Sequence, residues 1–247
     1  MGKKNRKKKK VSANGKPFVS ICTPTYNRRR FIPFIIKCFQ AQTYPVELME
    51  WIVVDDGTDP VGDLFDGVEC VKYFYQEEKM KLGKKRNYMH SKAKGDIIVY
   101  MDDDDYYPPN RVNHVVNRLR SQPKADACGS SAIYIYFHKQ KEIYLFGPYG
   151  PNHATAGTFG FWRRLLKETS YEDDAEMAEE KHFLKNYTIP FVQLNPMKSI
   201  LVFAHDANTF DKSRLLENPN PQYVKRTKLT PKNFIKDKEM VKFYTEQ

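Results

Sequence analysis

"GDIIVYMDDDDYYPPNR", residues 95–111, drives an apolar stretch straight into four adjacent carboxylates. Like charges side by side repel, and unpaired charge taken out of water is costly. The run therefore belongs beside positive charge, or it is a bare solvated loop. The apolar stretch reads as a strand. "FVSICTPTYN" (18–27) and "MEWIVVDDGTDP" (49–60) have the same form, a buried strand that ends in a polar cluster, and "CVKYFYQ" (70–76) is a further strand candidate. Helical spacing separates them in "RRFIPFIIKCFQAQ" (29–42), where Pro33 is tolerable only in a first turn. "KLGKKRNYMHSKAKG" (81–95) reads as a short helix that Gly83 opens and Gly95 closes. Strands alternating with helices through residue 120 predict an α/β fold on a mainly parallel sheet. Apolar runs without alternation fit strands covered on both faces. In such sheets ligands bind beyond the C-terminal ends of the strands. "TPTYNR", "DDGTD" and "DDDD" should therefore converge on one edge.

Farther along, "PPNRVNHVVNRLRSQ" (108–122) places Val112, Val115, Val116 and Leu119 on one helical face. "AIYIYFHKQKEIYLFG" (132–147) reads as an antiparallel hairpin, and Asp173 can cap a helix through about Asn186. "PFVQLNP" (190–196) and "SILVFAH" (199–205) are two more strands. "NPNPQ" (218–222) breaks the pattern, and Thr230-Pro231 opens a last amphipathic helix. The expected organisation is a basic disordered tail over 1–16, one domain over 17–212, and a C-terminal extension over 213–247 with a terminal helix.

The net charge of +11 is uneven, because residues 1–16 hold eight Lys or Arg and no acid. Such a run is usually solvated, so deleting residues 1–16 is expected to leave turnover unchanged in a steady-state assay. A nucleic-acid binder led by this tail would interleave aromatic with basic residues on a strand face, whereas "IYIYFHKQKEIYLF" alternates aromatics with aliphatics. No specific nucleic-acid partner is expected. Nor is a transmembrane segment, since no apolar run approaches the ~20 residues a span needs. The N-terminus lacks the apolar region of a signal peptide, so a cytoplasmic protein is the expectation. The four cysteines show no C-x-x-C spacing, which argues against zinc.

On an extended strand Asp102 and Asp104 share a face and Asp103 points away. A small divalent cation takes few protein oxygens when substrate phosphates fill its other positions. "VSICTPTYNR", "QTYP", "IVVDDGTD", "GKKRN" and "KGDIIVYMDDDD" follow one another over residues 18–105. In that order they resemble the motifs of the family 2 glycosyltransferases with a GT-A (Rossmann-like) fold, which carry a DxD-type acid motif.

The resemblance implies a metal-dependent enzyme that moves a sugar from a nucleotide-sugar, a UDP-sugar in the first instance, to an acceptor hydroxyl on a glycan or glycoconjugate. It implies that Tyr26 lies against the base, with Pro24 and Arg28 nearby. Asp55 would accept the base N3–H, with Asp56 as the neighbouring candidate, and Arg86 would reach the nucleotide. Asp102 would contact the ribose or a metal-bound water and Asp104 the metal, and His205 would complete a metal site of Asp102, Asp104 and His205. Nitrogen beside carboxylates suits Mn²⁺ better than Mg²⁺. The family expects an acid pair on a helix, often Glu-Asp; "AEEKHFLKN" offers Glu179 and Glu180 instead. Glu180 shares a face with Phe183 and Leu184, which favours it as the base of an inverting reaction. A retaining reaction would remove that role. His153, in the Gly-rich stretch "GPYGPNHATAGTFGFW", could shape the donor or acceptor pocket, and Lys212 could neutralise phosphate charge. The rivals are an inactive sugar-nucleotide binder and a sugar-phosphate nucleotidyltransferase. The latter needs a Gly-rich loop after the first strand, and "CTPTYNRRR" has no glycine.

Overall fold

A computed structural model describes residues 15–175, 180–206, 208 and 210–246. The expected tail (1–16) lies almost wholly outside the described residues, as does Glu179. The chain runs β1 (Val19–Thr25), α1 (Ile32–Gln40), β2 (Met49–Asp55), β3 (Val71–Tyr75), α2 (Leu82–Lys92), β4 (Ile97–Tyr100) and α3 (Arg111–Ser121). It continues through β5 (Ala127–Gly129), β6 (Ile133–Phe137), β7 (Glu142–Phe146), β8 (Gly160–Trp162), α4 (Glu180–Phe183), β9 (Phe191–Gln193), β10 (Leu201–Ala204), β11 (Val224–Arg226), α5 (Pro231–Phe234) and α6 (Lys238–Thr245).

The main sheet has the order β3-β2-β1-β4-β8-β5-β9. β3, β2, β1 and β4 are parallel, and β8 enters antiparallel between β4 and β5. The unbroken apolar strands are explained by layers on both faces. Val19, Ile21, Val53, Ile97 and Val99 face one core with Ile32, Ile35 and Val112. Cys22, Ile52, Val54, Ile98 and Tyr100 face the other with Met89 and Phe183. Strand order reverses at β1, whose neighbours are β2 and β4, so a crevice opens beyond the C-terminal ends of β1 and β4.

Several elements depart from the sequence expectation. The hairpin is half of a four-stranded sheet, β10-β6-β7-β11, because β10 pairs parallel with β6 from far along the chain. The helix expected from Asp173 through Asn186 is described only as α4, and Lys185, Asn186 and Tyr187 turn left-handed after it. Asp173 accepts from Asn87 Nδ2 at 2.8 Å, and residues 176–179 between it and α4 lie outside the described residues. Gly95 is not the cap of α2, which ends at Lys92 with Ala93 as its C-cap. A Cβ there would lie 2.4 Å from the Ser20 backbone nitrogen, so glycine is required for close strand approach. The last helix is broken into α5 and α6, the second capped by Asp237 accepting from Glu239 N and Met240 N. α6 is tied to the core: Phe243 stacks on Phe34, Tyr244 stacks on Phe203, and Tyr244 Oη donates to the Asp105 carbonyl at 3.2 Å.

A buried histidine sets an acid limit on this fold. His90 Nε2 lies 2.6 Å from Tyr100 Oη. Burial, with Arg86 nearby acting the same way, pushes its pKa down to about 3. Below pH ~6.5 the unfolded chain binds a proton that the folded chain refuses until about pH 3. Stability is therefore full above that upper limit and falls as pH drops, with a slope of up to about 1.4 kcal/mol per pH unit. His114, held down to about 4 by burial and by Arg111, adds the same sign. His90→Gln is expected to remove up to about 1.4 kcal/mol per pH unit from the slope of urea-unfolding free energy between pH ~6.5 and ~4.5, read as the difference from wild type.

Candidate active site

The three polar strand ends meet. The loops after β1 and β4 line one cleft of about 380 Å³, walled also by Lys85, Thr155, Gly157 and the β6 residues Ile133 and Ile135, while the loop after β2 packs against the loop after β1 without lining it. The loops after β1 and β2 clasp each other. Asn27, at φ 54°, accepts at Oδ1 from Thr58 N (2.8 Å) and Asp59 N (3.2 Å). Arg29 pairs with Asp59 and Asp63.

The acid run is not extended. Beyond Tyr100 the chain leaves the strand and turns, so the period-2 alternation stops. Asp103, expected to point away, lies 4.0 Å from Arg28 Nε, and Asp104 lies 3.8 Å from the same atom. Asp105 Oδ1 accepts from Phe203 N at 2.9 Å. The four carboxylates are electrostatically unequal. Burial raises the pKa of Asp103 and Asp105 well above the carboxylate range, and the Asp104 charge adds to this. Burial also pushes Asp104 up, but His205, Lys212 and Arg28 outweigh it and hold Asp104 at about 2. Of Asp103, Asp104 and Asp105, only Asp104 is held ionised by its surroundings.

Asp104 Oδ2 lies 3.5 Å from His205 Nε2 and accepts from Asn208 Nδ2 at 3.2 Å. Asn208 Oδ1 accepts from His205 N at 2.8 Å, and the His205 ring stacks on Phe31 at 4.8 Å. Asp102 stands on the other flank, where its Oδ1 is 4.0 Å from Arg86 and its backbone N donates to Tyr107 Oη at 2.8 Å. Asp102 therefore does not join Asp104 and His205 as expected. Among the described residues no three His, Cys, Asp or Glu side chains form a group that could hold a metal. The turn that brings Asp103 and Asp104 to Arg28 is what separates them. Asp104 and His205 do fit a divalent cation as a two-ligand set: they supply one oxygen and one nitrogen close together, the carboxylate is held ionised, and Asn208 orients both.

Five of the expected nucleotide-binding residues line the cleft, and Asp55 and Asp56 do not. Pro24, Tyr26, Arg28, Arg86 and Asp102 all line the cleft. Lys79 Nζ sits 4.3 Å above the Tyr26 ring. Arg86 is buried, with its guanidinium 4.5 Å over Tyr100 and 5.7 Å over Tyr171. Asp55 and Asp56 are already engaged. Asp55 accepts from Gly57 N (2.9 Å), Val61 N (3.0 Å) and Tyr73 Oη (2.6 Å), which organises the loop. Asp56 pairs with Lys85 and accepts from Met80 N at 2.6 Å. Glu180 Oε1 accepts from Ala156 N at 2.9 Å, so it holds the 154–158 wall of the cleft.

Three contributors escaped sequence reading. Asn208 carries no pattern at all. Lys85 had a signal: Lys85, Arg86, Met89 and His90 are the buried stripe of α2, polar where an ordinary helix would be apolar. Gly157 is the third. A Cβ there would lie 2.7 Å from Asp102 Oδ2 and 3.4 Å from Tyr107 Oη. Gly157→Ala is expected to displace the Asp102 carboxylate and lower kcat/KM about 10- to 100-fold. Tm should hardly change, because the atom crowded is the end of a side chain.

The family pattern described as glycosyl transferase family 2 matches residues 20–169. The chain belongs to that family. An uncharacterized glycosyltransferase of Rickettsia typhi is 30% identical over 136 residues, covering 53% of this chain and 41% of the relative. The chain thus spans about two fifths of that protein's length. A mannosyltransferase of Pyrobaculum calidifontis, solved with GDP-Man and Mn²⁺, superposes with a TM-score of 0.64 at 17% identity, over 78% of this chain and 59% of that one. Residues 1–349 of S. aureus TarS, solved with UDP-GlcNAc, superpose with a TM-score of 0.61 at 19% identity, over 77% and 59%. The GT-A fold is shared with both. Among the described residues no helix is long and apolar enough to cross a membrane.

Proposed function

We propose that this chain transfers a sugar from a nucleotide-sugar, a UDP-sugar, to a hydroxyl of a glycan or glycoconjugate acceptor, with a divalent cation, Mn²⁺ before Mg²⁺. One observation carries the reading: the loops after β1 and β4 converge on a cleft in which Asp104, held ionised, faces Arg28, His205 and Lys212. Tyr26 offers its ring to the base. Asp55 retains about one acceptor position of its roughly four for the base N3–H, and Asp56 fixes Lys85 beneath it. Arg86 and Asp102 face the ribose and the diphosphate. Asp104 and His205 would hold the cation, which when bound supplies positive charge to the departing diphosphate.

In a single displacement the acceptor hydroxyl oxygen bonds to the anomeric carbon. The bond from that carbon to the diphosphate oxygen breaks, and its electron pair leaves with the nucleotide. The hydroxyl proton passes to Glu180. Arg28, Arg86 and Lys212 offset the charge that builds on the leaving group. UDP-sugars and GDP-sugars should be scanned for thermal stabilisation with and without Mn²⁺, and for turnover. A metal-dependent rise in Tm with a UDP-sugar is the expected result. No rise with any nucleotide, with or without metal, would overturn the reading.

A further inference from the structure

The loop after β7 carries a group of rings that the reaction above leaves unused. Tyr149 is 46% exposed, unusual for so large a ring. It packs against His153 (centroids 5.1 Å apart) and Tyr223 (5.2 Å, 33° between planes), and His153 meets Tyr187 at 5.4 Å. Tyr149 is exposed and His153, Tyr187 and Tyr223 are half-buried, so the four rings form one partly open aromatic surface of the kind that marks a contact site.

The platform is built rather than loose. Gln193 Nε2 donates to the carbonyls of Pro151 (2.8 Å) and His153 (2.9 Å), while its Oε1 accepts from Ser131 N at 2.9 Å. Gly147 N donates to the Tyr223 carbonyl at 2.8 Å, and Asn152 Nδ2 to the Tyr187 carbonyl at 3.0 Å. Tyr187 ends three successive non-glycine residues at φ 49°, 56° and 63°. Left-handed backbone is unfavourable for residues with a Cβ, and such strain persists only where the surroundings impose it.

Two further features say what the platform holds. Residues 147–162 contain no Asp, Glu, Lys or Arg, in a chain that is 29% charged. Such a surface suits a neutral ligand and not a phosphate chain. The same loop runs from His153 directly into Thr155, which lines the cleft, and Ala156, whose N–H Glu180 accepts. A pyranose has an apolar C–H face and a hydroxyl rim, which matches a tyrosine's apolar face and polar tip.

We infer that Tyr149, His153, Tyr187 and Tyr223 form the acceptor subsite, and that the acceptor presents a neutral pyranose ring to it. The inference rests on the proposed function, so its test reads both ligands separately. Saturation-transfer NMR on the full chain would use methyl glycosides of glucose, galactose, mannose and N-acetylglucosamine, with UDP and diamagnetic Mg²⁺ in the same tube. Saturation is expected on ring C–H protons of at least one glycoside as well as on UDP. Tyr149→Ala and Tyr223→Ala are each expected to weaken the glycoside about tenfold while the UDP signal persists, and Tyr149→Phe to retain it. UDP signal with no glycoside signal, or glycoside signals unchanged in both alanine variants, would overturn the subsite alone. Loss of the UDP signal in the wild-type chain would instead overturn the transferase reading and the subsite with it.

Discussion

Replacing Asp104 with asparagine is expected to lower kcat/KM about 10²–10³-fold. The substitution keeps the shape of the side chain and an oxygen able to accept from Asn208. It removes a charge that the surroundings of Asp104 hold ionised at neutral pH, with a pKa of about 2. Two consequences separate this from general damage. The metal-dependent part of the UDP-induced rise in Tm should vanish, because Asp104 and His205 would supply both protein ligands. Metal-free Tm should fall only modestly, since asparagine keeps the hydrogen bond from Asn208 and Asp103 remains 4.0 Å from Arg28 Nε. Asp104→Asn retaining activity within threefold of wild type would place the cation, and the chemistry, elsewhere.

Glu180→Gln is expected to lower kcat about 10²–10⁴-fold, the usual contribution of a general base. Glutamine can still accept from Ala156 N through its amide oxygen, so the cleft wall keeps its place. The pH profile provides the independent readout. A base works deprotonated, so wild-type kcat should fall as pH drops through the Glu180 pKa, and this acidic limb should be absent in the variant. Glu180→Ala loses the hydrogen bond as well and should perturb the acceptor KM, because the same loop carries His153. Near wild-type turnover by Glu180→Gln, with the acidic limb intact, would assign proton removal to another group.

Much of this was legible in local sequence. The alternation of "FVSICTPT", "MEWIVVDD" and "DIIVYM" with helical stretches specified the parallel order, since strands apolar on both sides must be covered on both sides. The same rule placed Tyr26, Asp55 and the acid run at one edge before any contact was known. The face of α3 formed by Val112, Val115, Val116 and Leu119 is buried as its spacing implied. The strand "GFW" was missed because three residues carry too little periodicity, and its place between β4 and β5 comes from pairing partners about 30 and 60 residues away in sequence.

By itself, then, the sequence determined the layers, the strand ends and the residue types gathered there, because hydrophobic period and strand direction are local properties. Only the tertiary structure decided how the acid run divides its labour. Burial of Asp103 and Asp105, the placement of Arg28 between Asp103 and Asp104, and the approach of His205 and Asn208 about a hundred residues later leave Asp104 charged and turn Asp102 toward Arg86. Solvation and through-space charge set those outcomes, and neither is encoded in the order of neighbouring residues.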